Sequence, residues 1–236
     1  SVVQSARTFN IEGFNVTIPF KEAIIPHLDQ ISPEARECGS VNTVIIKDGK
    51  AVGYNTDGPG FMDSLKQEGI EVPEMAAVLG AGGAARAIGY SLASGGADIV
   101  FLNRTPERAR VLAGDVAGAT GRRTWAVTWD DPLVPKLLRQ AALLVNTTPL
   151  GMYPAGGEMP PVDFSLLRPE TAIADIVYNP LETRFLREAR RSGFKTVEGL
   201  GMFVNQGMRS WQMFTGLEAP VEEVRRGLEG ILRNET

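Results

Sequence analysis

From Ala76 onward, short apolar segments alternate with stretches of helical composition, and this alternation restricts the possible folds more than any other feature. The apolar segments read AAVLG, DIVFLN, TWAV, LLVNT, AIADIV and KTVEG. Helices are predicted between them at about residues 83–94, 106–117, 132–140 and 181–192. Strands that alternate with helices form a parallel sheet covered on both faces. Six such strands predict a doubly wound α/β fold that binds a dinucleotide.

The first apolar segment leads into a glycine-rich loop, VLGAGGAARA, in which Gly80, Gly82 and Ala85 have the spacing G-x-G-x-x-A. The first glycine permits a tight turn, the second lets the backbone approach a pyrophosphate, and the alanine lets the helix pack closely on the sheet. The N-terminus of that helix offers free N–H groups to phosphates. Because the loop follows a strand and opens a helix, we expect a dinucleotide site here. Its residues are Gly80, Ala81, Gly82, Gly83 and Ala84.

The end of the second predicted strand favours NADP over NAD. An NAD site usually has an acidic residue there, which accepts a hydrogen bond from the ribose 2′-hydroxyl. Here the strand ends at Asn103, and the next residues are Arg104 and Thr105. The guanidinium of Arg104 can bind a 2′-phosphate. Arg108 lies four residues further on, where it could assist Arg104 or be a solvated helix charge.

The chain before Asp57 predicts a smaller α/β unit. GFNVTIPF is a strand candidate that ends at Pro19, and KEAIIPHLDQIS is a short helical stretch interrupted by Pro26. SPEARECG predicts a helix with Ser32 as its N-cap and Gly39 as its stop. VNTVIIKDGKAVGYNTD predicts a hairpin, because Asp-Gly is a strong turn signal between two β-rich runs.

Three further helices are predicted outside the alternating region. GPGFMDSLKQEG suits a helix that connects the two units. NQGMRSWQMFTG and PVEEVRRGLEGILRN predict two helices at the end of the chain, where apolar residues follow helical spacing. These last helices could return to the first unit and clamp it.

Composition and charge exclude several classes of protein. The content of 43% hydrophobic and 22% charged residues is that of a globular protein, and the net charge of −4 leaves no broad basic surface for nucleic acid or anionic lipid. The single cysteine, Cys38, excludes an internal disulfide and fits a reducing compartment. No apolar run reaches the roughly 18 residues of a membrane helix. With no signal peptide visible, we expect a cytoplasmic protein, either a monomer or a homodimer.

Reduction of a carbonyl by hydride leaves an alkoxide, so a proton donor must lie close to it. No His/Cys/Asp/Glu cluster has the spacing of a metal site, and the lone histidine, His27, has the features of a surface group. Lys21, which follows an apolar run closed by a proline, is the leading candidate, with Asp57 as its acidic partner. From spacing alone, Lys21 could equally be a solvated lysine at a strand end.

Several segments together resemble the shikimate dehydrogenase family. In chain order they are GFNVTIPFK, GSVNT at 39–43, GYNTDGPG at 53–60, GAGGAAR at 80–86, NRTPER at 103–108, NTTPLGM at 146–152, DIVYNP at 175–180 and GLGMFVNQ at 199–206. The resemblance spans nearly the whole chain. It implies a reversible, NADPH-dependent reduction of 3-dehydroshikimate to shikimate, a step in aromatic amino-acid biosynthesis.

The resemblance also implies a role for individual residues. Lys21 would donate a proton to the substrate oxygen, and Asp57 would bond both Lys21 and a ring hydroxyl. The residues around the substrate would be Thr17, Asn42, Tyr178 and Gln206. Near the nicotinamide and its ribose would lie Thr147, Gly201 and Met202.

The implied architecture is a small α/β substrate domain and a doubly wound Rossmann-type NADP domain, with the active-site cleft between them. We expect residues 1–57 and 199–236 to form the substrate domain and residues 58–198 to form the NADP domain. Hinges are expected near residues 57–60 and 198–201, where the chain crosses between the two units.

The start of the sequence departs from the family pattern. The family normally opens with a strand and a Ser-x-Ser pair that binds the substrate carboxylate, whereas Ser1 and Ser5 lie too close to GFNVT to be that pair. We therefore expect that about 40 residues, one strand-helix-strand unit, are missing before Ser1. Their loss would leave the carboxylate without its clamp.

Two alternative functions follow from the same features. The first is a relaxed quinate/shikimate dehydrogenase, since quinate differs by an extra hydroxyl at the carboxylate end. The second is a non-catalytic NADP-binding module. Such a module needs only the glycine-rich loop and Arg104, so the combined presence of Lys21, Asp57 and the two substrate amides argues against it.

Overall fold

Two β-sheets organise the computed structural model, which describes residues 2–17 and 19–234. Within those residues the smaller sheet has four strands in the order β1-β3-β4-β2. They are β1 Gly13–Asn15, β2 Gln30–Ile31, β3 Thr43–Lys47 and β4 Lys50–Tyr54. β3 pairs antiparallel with β1 and with β4, whereas β2 pairs parallel with β4. The helices α1 Val2–Thr8 and α2 Pro33–Cys38 belong to this unit, whose core includes Val3, Ala35 and Val44.

The hairpin and the first capped helix confirm the predictions. β3 and β4 are joined by Asp48 and Gly49, both with positive φ, so the Asp-Gly pair forms the turn. Ser32 Oγ accepts a hydrogen bond from Ala35 N at 3.2 Å, and Gly39 ends the helix in the left-handed region with φ +58°.

The segment between β1 and α2 differs from its prediction. The strand predicted over GFNVTIPF ends at Asn15, and Phe20 N instead bonds Thr17 O in a turn around Pro19. Ile18, which belongs to the predicted strand, lies outside the described residues, as does Ser1. The predicted helical stretch forms only a short 3-10 helix, Ile25–His27, because Pro26 has no N–H to continue it. The strand β2 that follows was not predicted.

The larger sheet confirms the doubly wound fold. Its six strands within the described residues are all parallel and have the order β10-β9-β8-β5-β6-β7. They are β5 Met75–Leu79, β6 Asp98–Leu102, β7 Thr124–Val127, β8 Leu143–Asn146, β9 Ala172–Asp175 and β10 Thr196–Val197. The order reverses between β5 and β8, and such a switch point opens a crevice at the carboxyl ends of the strands.

Helices cover both faces of this sheet. They are α4 Gly83–Ser94, α5 Pro106–Thr120, α6 Val134–Gln140 and α7 Arg184–Arg191, and their ends differ from the predicted ones by at most three residues. One face packs around Val78, Ile88 and Phe101, and the other around Leu79 and Leu144. Strands buried on both faces explain the continuous apolar runs in the sequence.

Two helices join the sheets. α3 Asp57–Gln67 connects the units in sequence, and α8 Gly199–Thr215 packs along it. Phe61 of α3 and Met202 of α8 belong to the core of the parallel sheet, while Ser210 of α8 contacts β3 of the small sheet. The expectation that a C-terminal helix returns to the first unit is therefore confirmed for α8.

The C-terminal helices also correct the prediction in one respect. α8 begins at Gly199, earlier than the helix predicted over NQGMRSWQMFTG, because burial of Leu200 and Met202 outweighs the low helix propensity of two glycines. α9 Val221–Asn234 packs on α8 through Val224, Leu228 and Leu232. In the described part of the chain, no helix combines the length and the apolar character needed to cross a membrane.

Candidate active site

An ion pair between Lys21 and Asp57 lies where the two units meet. Lys21 Nζ donates a hydrogen bond to Asp57 Oδ2 at 2.6 Å. The side chains are 18% and 6% exposed, so the ammonium is partly open to solvent while the carboxylate is almost fully covered. The structure thus brings together the two residues expected to exchange a proton with a substrate.

The backbone fixes both members of this pair. Val41 N donates to Lys21 O at 2.9 Å, which ties the loop that carries the lysine to the chain entering β3. Asp57 is the first residue of α3, and its N–H bonds Asn55 Oδ1 at 3.0 Å. Asn55 in turn donates to Ser40 O at 2.9 Å, so the start of α3 is anchored to the small sheet.

Asn42 joins the ion pair to α8. Its Nδ2 donates to Asp57 Oδ1 at 2.9 Å and to Gln206 Oε1 at 3.3 Å. Its Oδ1 accepts from Thr56 N at 2.9 Å. The structure therefore places two amides, those of Asn42 and Gln206, beside Lys21 and Asp57, and amides of this kind can bind several hydroxyl groups of one small polyol.

Thr17 and Tyr178 lie at the exposed margin of this group. Thr17 is exposed on the loop that leads to Lys21. The ring of Tyr178 stacks on Phe203 of α8, with 4.0 Å between the ring centroids and 19° between the planes. Because Phe203 O accepts from Gln206 Nε2 at 3.0 Å, Tyr178 is held against the same turn of α8 that carries Gln206.

A buried carboxylate fixes the loop that carries Tyr178. Asp175 Oδ1 accepts from Asn146 Nδ2 at 2.9 Å and from Val177 N at 3.0 Å, and Oδ2 accepts from Thr183 Oγ1 at 2.7 Å. Burial raises the pKa of Asp175 to about 6, although these hydrogen bonds oppose the shift. Asp175 therefore orders the chain at the carboxyl end of β9.

The glycine-rich loop forms an open cradle at the carboxyl end of β5. Gly80 has φ +113°, and a Cβ there would lie 2.8 Å from Thr147 Oγ1, so only glycine fits beside Thr147. A Cβ on Gly82 would meet nothing within 4 Å, which leaves room for a phosphate above the loop. Gly83 and Ala84 open α4, whose N-terminal N–H groups face this space.

The expected 2′-phosphate site lies at the end of β6. Asn103 Nδ2 donates to Thr105 O at 2.9 Å, which shapes the turn into α5. Arg104 and Arg108 are exposed. Within the described residues, the salt bridges of α5 join Arg110 to Glu107 and Asp115 to Arg86, and they leave Arg104 and Arg108 without an acidic partner. Both guanidinium groups are thus available to a phosphate.

Gly201 and Met202 lie in the first turn of α8. A Cβ on Gly201 would be 3.0 Å from Ser64 Cβ, so this glycine lets α8 and α3 pack closely. Met202 is 8% exposed and packs in the core of the parallel sheet. Both positions have a packing role in the fold, and their contact with a nicotinamide stays a prediction.

Part of the polar network around Asn42 is not evident from the sequence. Thr43 and Thr56 lie within segments that resemble the family, and both residues are buried there. Ser210 carries no signal in the sequence, because a serine in an amphipathic helix is ordinarily solvated. In the described residues no group of His, Cys, Asp or Glu side chains is arranged to hold a metal ion.

Known families and proteins match this chain over both units. Residues 1–44 match the family model described as shikimate dehydrogenase substrate binding domain, and residues 199–229 match the shikimate 5′-dehydrogenase C-terminal domain. The curated shikimate dehydrogenase (NADP(+)) of Moorella thermoacetica is 45% identical over 225 residues, which are 94% of this chain and 76% of that protein.

Solved structures also match nearly the whole of this chain. Shikimate 5-dehydrogenase from Thermus thermophilus, in complex with NADP(H) and shikimate, is 40% identical with a TM-score of 0.83, and the match covers 95% of this chain and 80% of that one. Quinate dehydrogenase from Corynebacterium glutamicum, in complex with NAD, is 31% identical with a TM-score of 0.89. The match covers 97% of this chain and 81% of that one.

Proposed function

The chain belongs to the shikimate dehydrogenase family, and from this membership we propose how its cleft performs the reaction. It is an NADP-dependent oxidoreductase of the shikimate pathway, which interconverts 3-dehydroshikimate and shikimate on the route to aromatic amino acids. NADPH supplies the hydride when it is bound. The roles below concern the residues of this chain.

Lys21 acts as the proton donor in the direction of reduction. Its ammonium, held by Asp57 at 2.6 Å, protonates the oxygen of the carbonyl as the alkoxide develops. In the reverse direction the neutral amine takes the proton from the substrate hydroxyl. Asp57 keeps the lysine in place and accepts a hydrogen bond from a neighbouring hydroxyl of the ring.

The amides of Asn42 and Gln206 orient the ring by bonding its hydroxyls. Both lie beside the ion pair, and fixed orientation of this kind accounts for a large part of enzymatic rate enhancement. Thr17 and Tyr178, at the exposed margin, line the part of the cleft that receives the carboxylate end of the substrate.

The cofactor lies across the switch point of the parallel sheet. The glycine-rich loop and the start of α4 bind the pyrophosphate, and Arg104 with Arg108 binds the 2′-phosphate, assisted by Asn103 and Thr105. Thr147 lies beside the ribose of the nicotinamide. Gly201 and Met202, in the turn of α8 that precedes Gln206, pack near the nicotinamide ring.

The same proposal assigns the domains. Residues 1–57 and 199–236 form the substrate domain, residues 58–198 form the NADP domain, and the active-site cleft lies between them. The contact of Ser210 with Thr43 supports placing α8 with the small sheet. The free, buried thiol of Cys38 suits a reducing compartment, and we place the enzyme in the cytoplasm.

A single observation carries the proposal: Lys21, Asp57, Asn42 and Gln206 converge on one side of the cleft. The test is the absorbance of NADPH formed from shikimate and NADP+. We expect turnover that requires both compounds and is much weaker with NAD+. Absence of turnover, or equal efficiency with NAD+, would overturn the proposal or its cofactor assignment, respectively.

Activity on quinate is the second candidate, because a quinate dehydrogenase matches over nearly the whole chain. Quinate has an additional hydroxyl at the carboxylate end, where Thr17 and Tyr178 lie at the margin of the cleft. The same assay with quinate in place of shikimate separates the two candidates. A selective shikimate dehydrogenase gives a kcat/KM for quinate that is roughly 10- to 100-fold lower, the size of the penalty for leaving the added hydroxyl of quinate without a hydrogen-bond partner.

A further inference from the structure

A buried pair of hydroxyl groups lies directly behind the substrate amides. Ser210 of α8 and Thr43 of β3 are 1% and 0% exposed, and their hydroxyl oxygens are 2.7 Å apart. Thr43 Oγ1 donates to Asn42 Oδ1 at 3.0 Å. Asn15 Nδ2 lies 3.0 Å from Ser210 Oγ. Both residues are buried, so an effect of either hydroxyl on the reaction must pass through the groups it bonds, among them Asn42 and Gln206.

The direction of these hydrogen bonds follows from the number of protons. A hydroxyl has one proton to donate, and the proton of Thr43 is used by Asn42 Oδ1. In the 2.7 Å contact Ser210 must therefore be the donor and Thr43 the acceptor. The contact from Ser210 to Gln206 O is longer, at 3.2 Å, and Asn15 Nδ2 can only donate to Ser210. The bonds run from Asn15 through Ser210 and Thr43 to Asn42.

The backbone N–H of Thr56 and the Asp57 carboxylate set the orientation of the Asn42 amide, and the bond from Thr43 reinforces it. Its oxygen is held as an acceptor by Thr43 Oγ1 at 3.0 Å and by Thr56 N at 2.9 Å. Its Nδ2 must then face Asp57 Oδ1 and Gln206 Oε1. A flipped amide would set its NH2 group against the backbone N–H of Thr56 and its oxygen against the Asp57 carboxylate, which is unfavourable in a buried site.

Ser210 also lies one helical turn after Gln206, on the same face of α8. Its bond to Thr43 ties that face to β3, and so holds Gln206 next to Asn42. The hydroxyl of Ser210 thus influences the positions of both the Asn42 and the Gln206 amide.

We propose that Ser210 is a positioning residue of the reaction. Acting through Thr43, it holds the Asn42 amide in the orientation that Thr56 N and Asp57 Oδ1 set, and through α8 it fixes the distance from Gln206 to Asn42. The inference rests on the proposed function, because it assumes that these two amides bind the hydroxyls of the substrate.

The test compares Ser210→Ala and Thr43→Val with the wild type in steady-state kinetics. We expect kcat/KM for shikimate to fall about tenfold in each, while the KM for NADP+ stays unchanged. The double variant should lose about as much as either single variant, because both break the same chain of bonds. Thr43→Ser keeps the hydroxyl and should restore most of the activity.

Thr171→Val is the matched control. Thr171 is 0% exposed, and its hydroxyl donates to Ala141 O at 2.9 Å at the amino ends of β8 and β9, away from the carboxyl ends where the site lies. Replacing Thr171 by valine removes one buried hydrogen bond of a hydroxyl. The protein should therefore unfold at a lower urea concentration, while kcat/KM for shikimate stays unchanged.

The outcomes separate the two claims. An active wild type whose Ser210→Ala and Thr43→Val variants keep kcat/KM within twofold would overturn the role of Ser210 alone. So would losses that multiply in the double variant, or an equal loss in Thr171→Val. A wild type that neither binds nor oxidises shikimate would overturn the proposed function, and the inference with it.

Discussion

At the scale of single residues, the proposed preference for NADP depends on Arg104. Arg104→Ala should lower kcat/KM for NADP+ by roughly 10- to 100-fold, the size of one or two lost hydrogen bonds to a charged group, and leave the value for NAD+ unchanged. Arg110→Ala on the same helix is the control, since Arg110 pairs with Glu107. A similar loss with both cofactors would show that Arg104 does not contact the 2′-phosphate.

Asp175 makes the stability of the protein depend on pH. Burial raises its pKa from 3.8 to about 6, so the folded chain holds this proton to a higher pH than the unfolded chain does. Its contribution to stability is therefore fully present below about pH 4 and is lost as the pH rises through about 6.

Asp175→Asn removes this titration while keeping the shape of the side chain. We expect the free energy of unfolding of the wild type, relative to the variant, to fall by roughly 2 kcal/mol between pH 4 and pH 7. Urea unfolding at several pH values measures the difference. A difference that is constant over this range would contradict the assignment.

Some residues of the site could be found from the sequence and others could not. Lys21 and Asp57 could be named as candidates because each follows a predicted strand, but spacing alone left Lys21 equally consistent with a solvated lysine, and the resemblance to the family implied their roles. Ser210 could not be identified from the sequence as part of the polar network, because its hydroxyl meets Thr43 only when α8 packs on β3. That contact joins residues 167 positions apart, beyond the reach of any local pattern.

At the scale of elements, the packing of α3 on α8 decides where the site residues meet. A Cβ on Gly60 would lie 2.6 Å from Gln206 N and 2.9 Å from Gln206 Cα, so the helices are in backbone contact at the residue proposed to bind substrate. Gly60 is thus required for the spacing between Asp57 and Gln206.

Gly60→Ala should force the two helices apart, destabilise the protein by about 1–3 kcal/mol and lower kcat/KM for shikimate. Gly114→Ala is the matched control in α5, because a Cβ there meets nothing within 4 Å. It should stabilise the helix by up to about 1 kcal/mol without changing activity. Thermal unfolding and kinetics of the two variants give the comparison, and equal effects would contradict the packing argument.

The elements of the parallel sheet were predictable because each combines a continuous apolar run with a following helix. The region between β1 and α2 was not. Pro26 reduces the expected helix to a single 3-10 turn, and β2 exists only because Gln30 and Ile31 find partners in Val52 and Gly53. Such short strands depend on tertiary pairing rather than on their own propensity.

At the scale of the whole molecule, the proposed mechanism gives the two sheets separate tasks that meet at one cleft. The parallel sheet presents the glycine-rich loop at its switch point, and the small sheet presents Lys21 and Asn42. α3 and α8 hold the two together through packing and through the double hydrogen bond of Arg209 with Asp63. Hydride and proton can therefore be delivered to the same carbonyl from two units.

The most direct test of this account is Lys21→Ala, with Lys50→Ala in the β3–β4 hairpin as control. The account predicts that kcat for shikimate falls by roughly 10²- to 10⁴-fold, the usual contribution of a general acid, while the dissociation constant for NADP+ stays within twofold of the wild type. The control should match the wild type in both. A Lys21→Ala enzyme that retains its turnover would contradict the account.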